Sequence, residues 1–342
     1  MHRPARRLGR SRPLRRPRPR GKSTFRRRRT GVLLRRLIAL LAVLLPALPL
    51  QARAQARIVS TSPSITETLY ALGLGPQVVG VTTFCSFPKD ALSKPKIGTF
   101  LEPDYERILQ LRPSLVLVIK NPAGVTTRLR ALGLRADELD MDNIQTVLAS
   151  IARIGQLTGA ESTARRLAES LRRDLDAVRS AAARKNRTSV LFLAGRAPGT
   201  LQSMVGAGPG TFLDELLRLA GGVNMLAASP IQYPKVSLEQ ILAADPGVII
   251  DMGDYAHAAG SDEQRRREEL ALWRAYGRLK AVRSGRVHAV TNSHFVVPGP
   301  RMAEAARDFL GYLHPETAHP SSPQPPPQRA GPPETPRRNP NQ

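Results

Sequence analysis

Cysteine occurs once in this chain of 342 residues, at Cys85. An internal disulfide is excluded, and thiol content neither requires nor forbids an oxidising compartment. Aromatic residues are scarce: 8 Phe, 6 Tyr and 1 Trp make 15, so their positions carry information. No apolar run approaches the roughly 20 residues of a membrane-spanning helix; the best stretch, residues 37–50, is interrupted by Pro46 and Pro49. Reactive constellations are missing too. There is no Gly-x-Ser-x-Gly elbow and no His-Glu-x-x-His zinc motif. His257, His288, His294, His314 and His319 include no pair four residues apart and have no acidic partner at ligand spacing, so no metal site is expected. Gly206-Ala-Gly-Pro-Gly210 precedes a helix but lacks the Lys-Ser/Thr of a phosphate loop, which leaves a glycine-supplied turn. Cys85 with His294 makes a poor nucleophile and base, and a buried structural thiol is the better reading. An enzyme is not expected.

Acidic residues are absent from the first 56 positions, which hold 17 Lys or Arg; without them the formal charge falls from +25 to +8, from 35 basic and 27 acidic residues. A basic segment, the short apolar stretch and the small-residue site Ala52-Arg-Ala54 or Ala54-Gln-Ala56 read as a secretory signal peptide over residues 1–56. A nucleic-acid-binding arm is the rival reading of the arginines, but the run leads straight into the export signal, and no nucleic-acid partner is expected. The length of the basic segment points to a translation start downstream, near Val32. Arg35-Arg36 leaves both the general secretory and the twin-arginine route open. At the other end, residues 315–342 are rich in Pro, Ser, Gln and Asn and read as a disordered tail.

What is present, above all, is a repeat. Glu106-Arg-Ile-Leu-Gln-Leu-Arg-Pro113-Ser-Leu-Val-Leu-Val-Ile119 has a second copy, Glu239-Gln-Ile-Leu-Ala-Ala-Asp-Pro246-Gly-Val-Ile-Ile-Asp-Met252. In each, a glutamate opens a short apolar helix and a proline seven residues later ends it, because proline lacks an N–H and biases its predecessor away from helical angles. The aliphatic runs 115–119 and 248–250 then read as strands buried on both faces, as in parallel sheets covered by helices. Between the copies, residues 161–184 carry Ala164, Leu167, Ala168, Leu171, Leu175, Val178 and Ala182 at spacings of three and four, with no internal glycine or proline. That is one amphipathic helix and a stiff connection rather than a hinge. The expected fold is α/β: two similar lobes with mainly parallel sheets, joined by one long rigid helix. The N-terminal lobe covers 57–142, the helices including the connecting one 143–186, and the C-terminal lobe 187–314.

The aromatics gather where such a fold binds ligands, at loops beyond strand ends. Phe84, Phe87 and Phe100 lie on one long first-lobe loop, and Tyr233 and Phe295 on second-lobe loops, which suggests a wide apolar surface in a cleft between the lobes. His294 follows the last strand directly.

Taken together, Arg57-Ile-Val-Ser-x-Ser-Pro63-Ser-x-Thr-Glu67, Val79-Gly-Val81 followed by Phe84-Cys-Ser-Phe87-Pro88, both glutamate repeats, Gly221-Gly-x-Asn224 and Tyr233-Pro-x-Val-Ser237-x-Glu239 match a known pattern. The chain from Arg57 to about Leu313 resembles the periplasmic substrate-binding proteins of ABC importers with a helical backbone, which serve cobalamin, ferric siderophores and haem, and it is most similar to the cobalamin-binding branch. The resemblance implies a periplasmic, monomeric receptor with no cofactor of its own, whose partners are a small-molecule ligand and the membrane permease. It implies that Glu106 and Glu239 dock onto the permease, one per lobe. It also implies that Phe84, Phe87, Phe100, Tyr233, Ser293, His294 and Phe295 line the ligand cleft. Cobalamin binders commonly carry Trp or Tyr where this chain has Phe, and Ser293 and Val297 stand where Asp and Arg meet corrin amides. A related corrinoid, a ferric siderophore or haem is thus the alternative cargo, with His294 as a candidate metal-coordinating side chain, and an exported enzyme is the alternative of a different class.

Overall fold

The computed structural model describes residues 56–254 and 262–317. All of the expected leader except Ala56, and the tail beyond Thr317, lie outside them. The first lobe is built from β1 (Ile58–Ser60), α1 (Pro63–Ala71), β2 (Val78–Val81), α2 (Tyr105–Gln110), β3 (Leu115–Ile119), α3 (Val125–Ala131) and β4 (Ala136–Leu139). Its sheet runs β2-β1-β3-β4 with every pairing parallel. Alternation along the buried strands divides them between two cores. Val59, Val116 and Val118 pack with Ile97, Ile108 and Leu129. Ile58, Leu115 and Leu117 face the opposite way, against α1 and the connecting helix. Strand β4 escapes a sequence reading because Asp137 and Glu138 break its apolar run, which an edge strand with one neighbour tolerates.

After α4 (Ile144–Thr158) and α5 (Glu161–Ala182), the second lobe contains β5 (Thr188–Gly195), β6 (Met204–Gly206), α6 (Phe212–Leu219), β7 (Gly222–Asn224), β8 (Lys235–Val236), α7 (Leu238–Ala244), β9 (Val248–Asp251), α8 (Asp262–Arg274), α9 (Lys280–Arg283), β10 (Val287–Ala289) and α10 (Met302–Leu313). The sheet order is β10-β9-β5-β6-β8, with β7 also on β5. Strand β6 is antiparallel to both β5 and β8, while β7, β9 and β10 pair in parallel. Strands β6, β7 and β8 are too short to show a period in sequence. The first part of the glycine-rich stretch is β6 rather than loop. The charged helix α8 ends at Arg274, and residues 315–317 of the expected tail form a 3₁₀ turn.

Helix α5 has 22 residues, and its buried face is Ala164, Ala168, Leu171, Leu175, Val178 and Ala182. The same apolar cluster includes Ile58 and Leu117 of the first sheet and Val190, Phe192 and Ile250 of the second. The connecting helix is therefore a shared wall of core and not a tether. Helix α4 lies close along it: a Cβ on Gly155 would come within 2.6 Å of the Ala164 Cβ. The lobes also touch through backbone, where Phe212 N donates to Asp142 O at 2.7 Å.

The repeat holds at the level of dihedral angles. Arg112 and Asp245, each directly before a proline, adopt φ of 45° and 42°, two of the three non-glycine residues with positive φ among those described. A left-handed residue closes each helix, and the proline behind it prevents continuation.

Candidate functional site

The 84–88 loop is held by what it buries. Ser60, Ser62, Thr66 and Thr82 form a buried hydroxyl cluster in which the Thr66 and Thr82 hydroxyls lie 3.2 and 3.1 Å from Cys85 Sγ. Cys85 is 1% exposed, so it is an anchor rather than a nucleophile. With Cys85 pointing inward and Lys96 Nζ donating to its carbonyl at 3.2 Å, Phe84 and Phe87 on either side are left 48% and 45% exposed. Phe100 stands on a tight turn closed by Thr99 N donating to Glu102 O. The turn needs glycine at its base: Gly98 has φ 82° and a Cβ there would lie 2.6 Å from Glu102 O. Phe100 is 37% exposed.

In the second lobe, Gly206 N donates to Pro234 O at 2.9 Å and Gly208 N to Gln232 O at 2.7 Å, pinning the 232–234 segment onto the glycine-rich stretch. Asn224 Nδ2 ties that stretch down through Ala207 O and Asp214 Oδ1, both at 2.9 Å, and Thr211 caps α6. These glycines serve close backbone approach, and their amides are spent within the protein. Tyr233 emerges from this support 48% exposed. Its hydroxyl is nevertheless pushed up to about 12, first by desolvation and then by the Asp142 carboxylate.

The two lobes are also joined by an ion pair that sequence reading missed. Arg301 Nη2 and Nε donate to the Glu67 carboxylate at 2.5 and 2.8 Å, across 234 positions of chain. The side chains are 11% and 3% exposed. Burial raises the Glu67 pKa, and Arg301 opposes that shift. The same guanidinium lies over the Phe87 ring, 4.1 Å from its centroid, and donates to Ser293 Oγ at 2.8 Å. Arg301 thus links a first-lobe aromatic to a second-lobe turn. One signal was available: Glu67 lies in the stretch Ser64–Leu69 of α1, every residue of which is buried, and a carboxylate there requires a cation from elsewhere.

The sequence-derived candidates divide accordingly. Phe87 and Ser293 are brought together through Arg301. Phe84, Phe100 and Tyr233 are exposed on separate loops. His294 is 5% exposed, with Nε2 paired to Asp308 Oδ2 at 2.9 Å. Phe295, expected to offer an apolar ligand surface, is 2% exposed and stacks on Phe309 at 5.4 Å between centroids; its ring belongs chiefly to the core. A cavity of about 1070 Å³ borders Ser86 from one lobe and Ser293, His294, Phe295 and Tyr312 from the other. The arrangement presents apolar rings and polar groups, among which the buried His294 Nδ1 has no hydrogen-bond partner. Among the described residues no group of three or more His, Cys, Asp or Glu could hold a metal ion.

A sequence model described as periplasmic binding protein matches residues 58–293. The chain belongs to the periplasmic binding proteins. Like the helical-backbone members of that family, it joins two α/β lobes by one long helix. Its relatives include the vitamin B12-binding protein of Yersinia pseudotuberculosis, 32% identical over 219 residues, 63% of this chain and 76% of that one. Among solved structures, the periplasmic vitamin B12 binding protein BtuF of Vibrio cholerae superposes with a TM-score of 0.64 at 26% identity, over 75% of this chain and 96% of that one. The periplasmic heme-binding protein RhuT from Roseiflexus sp. RS-1 gives 0.64 at 27%, over 76% and 99%. Periplasmic binding proteins of this class bind a small molecule and work with an ABC transporter permease; they are not enzymes.

In this family setting the two repeated glutamates are exposed surface features. Glu106 and Glu239 lie in the first turns of α2 and α7. Asp104 caps the first helix by accepting from Arg107 N at 2.8 Å. A full capping box, Ser237 with Gln240, fixes the second. The Glu239 pKa is lowered by its own backbone N–H and then by Ser237.

Proposed function

We propose that this chain is an exported, monomeric receptor of an ABC importer, which binds cobalamin or a related corrinoid between its lobes and delivers it to the membrane permease. What supports the corrinoid reading is the exposure of three phenyl rings on first-lobe loops, Phe84, Phe87 and Phe100, which offer apolar contact. His294, whose Nε2 is paired to Asp308 while Nδ1 has no hydrogen-bond partner, is the side chain that would serve a haem cargo instead. A corrinoid arrives with its cobalt already ligated and asks mainly for apolar contact and a few hydrogen bonds. Haem more commonly takes an axial His, Cys, Met or tyrosinate from its protein. The vitamin B12-binding relatives support this reading, while the heme-binding RhuT, at the same TM-score as BtuF, keeps haem as the alternative cargo.

Isothermal calorimetry on residues 57–342 tests the assignment. Cyanocobalamin or cobinamide is expected to bind one per chain without turnover, and haem and ferric siderophores to give no heat. Binding of either of the latter with no corrinoid heat would overturn the ligand. For docking, Glu106→Arg and Glu239→Arg are each expected to leave corrinoid affinity unchanged and to reduce uptake in cells. Normal uptake by the double variant would refute that role.

A further inference from the structure

The two copies of the repeat share a surface feature that the fold does not require. Ile108 and Ile241, two residues beyond each glutamate, are fully buried and anchor their short helices. Leu109 and Leu242, three residues beyond, are left 40% and 43% exposed. Positions i and i+3 share a helix face, so each lobe displays a carboxylate with a leucine beside it. A single exposed leucine is ordinary. The same leucine in the same register, beside the same charge, on two helices each closed by a left-handed residue and a proline, repeats a surface rather than a core.

Exposed ion pairs contribute little against water and salt, so two glutamates alone would steer a partner better than they would hold it. An adjacent apolar side chain supplies what the charge cannot, burial on contact. In the second lobe Glu239 also borders a cavity of about 680 Å³ that includes Leu201, Lys235 and Tyr276, a recess able to admit a side chain from outside. We infer that Glu106 with Leu109, and Glu239 with Leu242, form two composite docking patches, each fitted to a surface of the importer permease where a basic side chain stands beside an apolar one. The inference rests on the docking role proposed above for the glutamates and adds to it the leucines, which hold the complex together once the charges have aligned it.

The test compares Leu109→Ser, Leu242→Ser and their double variant with the pair Glu106→Gln and Glu239→Gln. Surface plasmon resonance would follow binding of the full receptor to its importer in nanodiscs at two salt concentrations. Each leucine variant is expected to weaken binding about fivefold to tenfold, through faster dissociation and with unchanged salt dependence, whereas the glutamate variants slow association and flatten it. Leu109→Gln and Leu242→Gln form a second set should a serine variant shift the urea midpoint. If the glutamate variants weaken docking while the leucine doubles bind like the parent, the leucine inference is overturned and the docking surface stands. If neither pair affects binding, the docking role itself fails.

Discussion

Replacing Arg301 by methionine removes the cation from a carboxylate that is 3% exposed. Glu67 must then stay ionised without its partner or take up a proton. Proton uptake bounds the loss: at about 1.36 kcal/mol per pH unit above a solvent value near 4.3, it comes to about 3.7 kcal/mol at pH 7 and about 1 kcal/mol at pH 5. To this is added a pH-independent loss of about 1 kcal/mol for the contact over Phe87 and the hydrogen bond to Ser293. Two other groups act on the same carboxylate: Glu304, which raises its pKa, and His294, which lowers it. In the parent the sign is the same but weaker. Glu67 is held above its solvent value, so its contribution is fully present below the unfolded pKa and is lost as the pH rises through the folded one. Urea denaturation at pH 5 and pH 7 measures the effect. Arg301→Met should lose about 4–5 kcal/mol at the higher pH and about 2 at the lower. Glu67→Gln in the same chain should recover most of the difference between the two. A loss that is independent of pH, or a double variant no better than the single, would refute the claim that this pair neutralises a buried charge between the lobes.

Two further predictions concern the second lobe. Asp251, fully buried, accepts from Trp273 Nε1 at 2.7 Å, Gly253 N at 2.8 Å and Arg196 Nε at 3.0 Å; Asp251→Asn leaves Arg196 with Glu269 as its one remaining carboxylate partner and is expected to lower the unfolding free energy by about 1–3 kcal/mol, read from the urea midpoint. His288 stacks on Tyr312 at 4.3 Å and is pushed down to about 4 by burial and then by Arg286. A depressed histidine contributes stability above its unfolded value that is lost as the pH falls through the folded one. The parent should therefore weaken between about pH 6.5 and 4, and His288→Phe should remove up to about 3 kcal/mol of that dependence; parallel stability curves for the two proteins would show that another group titrates.

The two lobes and their connection were legible in the sequence because both rest on local periodicity. Proline and the branched aliphatics after it mark each helix-to-strand unit within fourteen residues, and the spacing of Ala164 to Ala182 needs only one helix to make sense. The resemblance motifs gained reasons from the structure: Ser60, Ser62 and Thr66 surround the Cys85 anchor, and Asn224 ties down the glycine-rich stretch. Short or polar strands such as β4, β7 and β8 were not legible, since two to four residues show no period and their pairing is supplied by neighbours far along the chain.

The site divides along the same line. The sequence by itself determined that Phe84, Phe87, Phe100 and Tyr233 sit on loops after or between strands, and that Glu106 and Glu239 occupy equivalent first turns. Tertiary structure alone decided that Phe295 turns into the core, that His294 is held by Asp308, and that Glu67 meets Arg301 beneath Phe87. The physical reason is separation along the chain. Periodicity and turn chemistry act over a few residues, whereas the partner of a buried charge is set by which surfaces the folded lobes bring together, here across 234 positions.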